Sequence, residues 1–206
     1  MYIPRLFRNT DEEEVLKFIE DNSFAVLVSQ GESRVLATHI PLYLSKNSNG
    51  ELTLTGHISK ANEAWKTFKE GKEVLAIFSG SHAYVSPSWY AHENVPTWNY
   101  IAVHVYGALR IIEGEELRNA LRLLVDKYER GSEKPVSVDR MSAGMVEREM
   151  KGIVGFEILV TEIQPAYKLS QNRDARDHAN IVRELKKTGH ADAHEIARQM
   201  EKKSPE

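Results

Sequence analysis

Apolar residues recur along this chain with two periods, about 3.6 and 2, and each switch between them marks a new element. Val15, Leu16, Phe18 and Ile19 follow Thr10 and Asp11 at helical spacing, which predicts a helix over Glu12–Glu20 with that stripe toward the core. Phe24–Ser29 and Arg34–Leu44 predict strands around a turn at Gly31, and Asn49-Gly50 predicts a hairpin before a strand over Glu51–His57. Val74–Phe78 forms a short continuous apolar run, the pattern of a strand covered on both faces, within a strand predicted over Glu73–Phe78. Ile101, Val103, Val105, Gly107, Leu109 and Ile111 alternate along one long strand. Leu117, Leu121, Leu124, Val125 and Tyr128 predict a helix with one apolar stripe, Ala143–Lys151 a shorter helix, and Ile153–Ile163 a further strand. From Asp174 onward the β signals stop. Ile181, Leu185, Ile196, Ala197 and Met200 there predict two short amphipathic helices around Thr188-Gly189.

Antiparallel strands joined by short connections, with few helices between them, favour a mainly β fold with peripheral helices. A closed or split β-barrel removes the exposed strand edges that an open α+β sheet, the alternative, must protect. No strand is followed by a Gly-rich turn into a helix, which counts against a nucleotide-binding parallel sheet. We take residues 1–173 as the barrel domain and 174–206 as a C-terminal helical arm.

Composition narrows the function classes. With 206 residues, 41% hydrophobic and 28% charged, the chain can bury a sizeable core as an ordinary globular protein. No apolar run approaches a membrane span and the N-terminus lacks the layout of a secretory signal, so a cytoplasmic location without membrane contact is expected. Absence of cysteine excludes disulfides, thiolate metal sites and cysteine nucleophiles. A net charge of −3 supplies no global attraction to nucleic acid, so DNA binding would need a local basic patch.

Two segments carry candidate chemistry. In residues 52–61, LTLTGHISKA, an alternating strand runs into a Ser-Lys pair, and Ala61, Trp65 and Phe68 continue at helical spacing to Gly71. Ser59 is thus expected near a helix N-cap. Its hydroxyl, the free N–H groups of the first turn and the Lys60 ammonium would then converge on one anion. An ordinary serine-capped helix with an exposed lysine is the plain alternative. Residues 80–100 gather Trp89, Trp98, Tyr84, Tyr90 and Tyr100 around Pro87 and Pro96. That reads as a stiff aromatic loop, able to wall a planar ligand, to form a subunit interface, or simply to be pinned by its own rings. Ser86, Ser88 and Ser170 show no nucleophile elbow, and His190 and His194 lack the glutamate of a zinc-protease helix.

MYIPRLF at 1–7, ATHIPLYL at 37–44, GHISKAN at 56–62, HAYVSPSWY at 82–90, VPTWNYIAVHVYG at 95–107 and KLSQNR at 168–173 together resemble the PaiB family, bacillus-type regulators of protease synthesis and sporulation. The resemblance runs from Met1 into the C-terminal helices. It implies an FMN-binding split barrel related to flavin reductases and pyridoxamine-phosphate oxidases, working as a homodimer and described as a negative transcriptional regulator. By the oxidase-type phosphate motif, it places Arg34 and His39 on the second strand, with His39 where that motif has a lysine. Thr55, Ser59 and Lys60 match the strand-to-helix part of the motif, with His57 beside them. Thr38 and Ile40 would approach the isoalloxazine edge through backbone groups. Trp98, Asn99, Gln171 and Arg173 would contribute around the dimer groove.

Under the same resemblance, His39, His57, His82 and His104 lie on or beside strands and could collect around a metal or haem, as in haem-handling split barrels, although no close ligand spacing is present. No catalytic acid, base or nucleophile is assigned. The open alternatives are a flavin-dependent oxidoreductase and a ligand-sensing regulator. The arm after Arg173 carries nearly balanced charges, which favours a packing role over DNA recognition.

Overall fold

The computed structural model describes residues 1–203. Its elements are α1 (Glu12–Asp21), β1 (Phe24–Gln30), β2 (Val35–Pro41), β3 (Tyr43–Lys46), β4 (Leu52–Ser59), β5 (Lys72–Val85), β6 (Thr97–Ile112), α2 (Gly114–Glu129), α3 (Ala143–Lys151), β7 (Ile153–Lys168), α4 (Ala175–Lys187) and α5 (Ala191–Lys202). Short 3₁₀ turns lie at Glu63–Thr67 and Pro87–Trp89, among others. The strands form one seven-stranded sheet in the order β2-β1-β5-β6-β7-β4-β3, with every assigned register antiparallel. This is the mainly β, split-barrel architecture expected from the strand pattern. No helix among the described residues is long and apolar enough to cross a membrane.

The chain divides into two compact units, one of residues 1–18, 79–104 and 164–206 and the other of 19–78 and 105–163. In the second, Leu54 and Ile58 of β4, Phe78 of β5, Leu109 of β6 and Phe156 and Ile158 of β7 are all but fully buried. The Phe68 ring meets Phe156 edge-on at 5.2 Å. Outside this core, α2 lays Leu117 and Ala120 on Ile112, with Leu121, Met150 and Ile153 alongside. In the first unit, Ile181 and Leu185 of α4 and Ile196, Ala197 and Met200 of α5 are buried. Asp174 caps α4 by accepting the Asp177 N–H at 2.8 Å.

Several predicted boundaries move for local reasons. The single strand expected over Arg34–Leu44 is two, β2 and β3, because Pro41 has no N–H for a ladder and the Leu42 N–H turns to Ser23 O at 2.9 Å. Arg34 consequently precedes the second strand, in a turn where its carbonyl accepts the Gly31 N–H at 3.0 Å. The expected aromatic loop over 80–100 is shortened to residues 86–96, since β5 continues to Val85 and β6 begins at Thr97. Gly80 permits that continuation: an added Cβ would lie 2.6 Å from the Phe18 ring, so only glycine lets strand and ring approach. β7 likewise runs past Ile163 to Lys168. The α1, α3, α4 and α5 segments and the Asn49-Gly50 hairpin fall where the pattern puts them. Gly50 supplies the left-handed residue of that turn at φ 81°.

Candidate functional site

The segment singled out in the sequence folds differently from expectation at one decisive point. Ser59 ends β4 and does not cap a helix. The following helix is a 3₁₀ turn over Glu63–Thr67, and Asn62 caps it by accepting the Ala64 N–H at 3.0 Å. Trp65 Nε1 donates to Lys60 O at 2.9 Å and Thr67 Oγ1 to Ala64 O at 2.7 Å, which tightens the turn and swings Phe68 into the core. The backbone amides of the turn are consumed internally. Lys60 N donates to Gly152 O at 2.9 Å, Ala61 N to Ser59 Oγ at 3.2 Å and Asn62 N to Ser59 O at 2.9 Å. An anion at this turn is therefore met by side chains, and the helix dipole of a long helix contributes nothing.

Those side chains are available. The Lys60 ammonium and the Arg34 guanidinium are exposed and have no hydrogen bond or ion pair among the described residues. The positive field of Arg34 reaches Glu63, whose carboxyl is held below its usual range first by the hydrogen bond from Lys66 and only lastly by Arg34. Thr38 points inward from β2, and Asn62 Nδ2 donates to its Oγ1 at 3.2 Å, so the structure joins Thr38 to the Ser59–Asn62 turn. His39 faces the other way. It is exposed and stacked on Phe24 with ring centroids 6.1 Å apart. His57 is half-buried on β4, and burial pushes its imidazole below the ordinary value of 6.5 toward the neutral form.

Thr55 is the informative member of the set. It is 9% exposed, and its Oγ1 is buried without a hydrogen-bond partner. It lines a cavity of about 230 Å³ with Thr53, Arg110, Glu116 and Glu157. Arg110 is already committed there, its guanidinium donating to Glu157 and, through two nitrogens, to Glu116 at 2.9–3.1 Å. Buried hydroxyls are ordinarily satisfied, so an orphan on this strand fits a ligand that supplies the missing partner.

The remaining predicted residues lie in the other unit. Asn99 is fully buried, and its amide pairs with the Ser170 hydroxyl at 2.9 and 3.1 Å. Ser170 has φ 61°, a left-handed conformation held by this pair and by Gln171. Gln171 Oε1 accepts Leu169 N at 2.8 Å, and its Nε2 donates to Tyr167 O at 2.6 Å. Asn99 and Gln171 thus clamp one turn. The Arg173 guanidinium stacks 4.9 Å from the centre of the buried Tyr90 ring. Trp98 is 52% exposed and forms an aromatic group with His82 and Tyr84, each 5.9 Å away between centroids. Among the described residues no group of three His, Asp or Glu side chains is placed to hold a metal ion.

An antiparallel split barrel with a buried, partnerless hydroxyl on one strand and an unpaired lysine in the turn that follows that strand has the features of a small-ligand-binding barrel. Residues 1–162 match the family described as "Putative FMN-binding domain". The chain belongs to that family and, within it, to the PaiB group: it is 44% identical over 98% of both chains to "Protease synthase and sporulation protein PAI 2" of Bacillus subtilis strain 168. An uncharacterized protein of Emericella nidulans is 27% identical over 88% of this chain and 89% of its own. Among solved structures, an FAD and haem binding protein from Mycobacterium smegmatis superposes with TM-score 0.64 at 15% identity, covering 84% of this chain and 78% of that one. The flavocytochrome Anf3 from Azotobacter vinelandii gives 0.59 at 18% identity, covering 86% and 78%. At these identities the likeness is one of fold.

Lys60 also lines a cavity of about 260 Å³ with Lys151, which comes from the end of α3. No local motif marks it; only the register of β4 with β7, which pairs Ser59 with Ile153, brings it there.

Proposed function

We propose that this protein is a flavin-binding regulator of the PaiB type, in which FMN is the ligand sensed or used. The observation that carries the reading is the buried Thr55 hydroxyl without a partner, on the strand that ends at Ser59, with Lys60 next in the turn. Lys60 and Arg34 would hold the phosphate, Lys60 as a point charge and Arg34 as a planar fork, with the Ser59 hydroxyl donating to the same group. Thr55 and the inward Thr38 would meet the polar body of the ligand, while the neutral His57 leaves the site's positive charge to the lysine and arginine. Bound FMN would supply one- or two-electron redox chemistry, and the protein would orient it and limit its contact with water.

The partner in this reading is a second copy of the chain. Trp98, Tyr100, Ala102, His104 and Tyr106 alternate along one face of β6, and none of them is fully buried. Such a half-exposed aromatic stripe is the kind of surface that a symmetric dimer covers. Arm residues Arg183, Lys186, Lys187, Arg198 and Lys203 are ion-paired with Glu184, Glu201, Glu195 and Glu14, which supports a packing role for the arm over DNA recognition. Residues 204–206 of that arm lie outside the described residues.

Titration with FMN, with riboflavin as the phosphate-free control, tests the reading. FMN is expected to bind and riboflavin more weakly, and Lys60→Ala should lower FMN affinity about ten-fold while leaving riboflavin unaffected. Absence of FMN binding by the unaltered chain would remove the flavin reading. Light scattering is expected to give twice the 23.4 kDa chain mass.

A further inference from the structure

We infer that Lys168 and Arg173 form a binding site for a small phosphate dianion, free or esterified, that is independent of any flavin and lies in the first of the two compact units. The two cations flank the turn over residues 169–172, which is tied down from several directions. Asn99 pairs with Ser170, Gln171 bridges Leu169 N and Tyr167 O, and Arg173 N donates to Ser170 O at 3.1 Å. The side chains are held as well. Lys168 Nζ donates to the Thr97 hydroxyl on the neighbouring strand β6 at 2.5 Å, and the Arg173 guanidinium lies 4.9 Å from the centre of the buried Tyr90 ring. With the ring beneath it, the guanidinium keeps its N–H donors, none of which is hydrogen-bonded among the described residues. A ligand therefore meets charges that are already in place, and little ordering has to accompany binding.

The pair lacks a counter-ion. Neither cation has an ion pair among the described residues, and burial, followed by the field of Arg173, pushes the Lys168 ammonium below the usual lysine range. The neighbouring carboxylates are committed elsewhere. Asp174 accepts the Asp177 N–H at 2.8 Å, while Asp177 accepts the Ala91 N–H at 2.8 Å and faces His92 Nδ1 at 3.3 Å. Glu93, three residues past Tyr90, is exposed and makes no hydrogen bond or ion pair to either cation among the described residues. Two like charges held near each other repel, and a shared anion relieves that repulsion. A further polar group is idle, for the hydroxyl of the Tyr90 ring that Arg173 covers is buried without a partner. The guanidinium fork and the ammonium together offer donors to three oxygens, which suits phosphate better than a carboxylate or a halide.

The test follows thermal unfolding of the flavin-free full chain with inorganic phosphate or glycerol 3-phosphate, against sodium chloride of equal ionic strength. Either phosphate, at ten times its dissociation constant, should raise the unfolding temperature by about 3–6 °C more than chloride does, and the one acting at lower concentration tells whether the dianion is free or esterified. Lys168→Met and Arg173→Gln should each weaken phosphate about ten-fold or more, Arg173→Lys should weaken it less, and the charge-matched control Lys202→Ala should change it less than about two-fold. Without ligand, Lys168→Met should unfold at a higher temperature than the parent, since it removes a half-buried charge and its repulsion while keeping the unbranched stem. A parent that phosphate stabilises no more than chloride does would overturn the site. So would a response kept in both Lys168→Met and Arg173→Gln, or a ligand-free Lys168→Met less stable than the parent, which would mean that the protein already satisfies the ammonium. No flavin enters these measurements, so the flavin reading stands or falls separately.

Discussion

Replacing Thr55 by valine should make the ligand-free protein more stable and the ligand bind more weakly, two effects of opposite sign from one hydroxyl. The Thr55 side chain is 9% exposed and its Oγ1 meets no partner, so the ligand-free fold carries the desolvation of a polar group with no bond in return. Leaving a buried hydroxyl unsatisfied costs about 1–3 kcal/mol, and the methyl that replaces it adds apolar burial of about 0.8 kcal/mol. Valine keeps the branched shape that β4 favours. A gain of about 2 kcal/mol corresponds, for a chain of this length, to an unfolding temperature higher by about 4–8 °C. Against this, losing one neutral hydrogen bond to the ligand, about 0.5–1.5 kcal/mol, should raise the FMN dissociation constant about two- to ten-fold. Differential scanning calorimetry without ligand and flavin fluorescence titration read the two effects separately. A lower unfolding temperature for Thr55→Val would refute the reasoning, because it would mean that the hydroxyl is already satisfied in the ligand-free protein.

Two further outcomes follow from the same structure. Gly107→Ala should destabilise the protein by about 1–3 kcal/mol or more, because the new Cβ would fall 2.3 Å from Leu159 O and 2.5 Å from Ile158 Cγ2, whereas Gly131→Ala, which meets nothing, should be nearly neutral on chemical denaturation. Stability should decline as pH falls below about 6.5. Burial holds His57, His104 and His178 below the ordinary histidine value of 6.5, His104 with help from the N-terminal charge, so the unfolded chain takes up protons there that the native state refuses. Their contribution is present above 6.5 and is lost as the pH falls toward the lowered native values; His57→Gln should flatten the profile.

Much of the fold was legible because burial imposes periods. The alternation of β6 from Ile101 to Leu109 and the buried Leu117 and Leu124 of α2 follow from one face meeting a core; Ile111 and Tyr128, expected inward, are exposed, and Ile112 takes the core place at the end of β6. What was not legible was set by contacts distant in sequence. Ser79-Gly80-Ser81 reads as a break, yet the strand passes through because the Phe18 ring occupies the place of a side chain. The turn after Ser59 reads as a helix start, but Asn62 captures the cap and Phe68 is drawn onto Phe156. For the candidate site, Thr55, Ser59 and Lys60 could be named from a local motif, since strand and turn lie together in sequence, whereas Thr38, on β2, came only from the resemblance. Asn99 and Gln171 were singled out as polar residues in a resemblance-bearing segment, and the structure shows both amides spent on the Ser170 turn.

The pairing of β4 with β7 also dictates an order of events during synthesis. Thr53 of β4 pairs with Leu159 of β7, about a hundred residues further along the chain, whereas its other neighbour, Ser45 of β3, is made almost at once. At roughly 5–20 residues per second, one edge of β4 waits about 5–20 s for its partner. Over that interval the hairpin of β3 and β4 exists without the strand that buries it, and Lys60 lacks the Gly152 carbonyl that fixes its turn. The turn after β4 is thus among the last features of the second unit to mature on the ribosome.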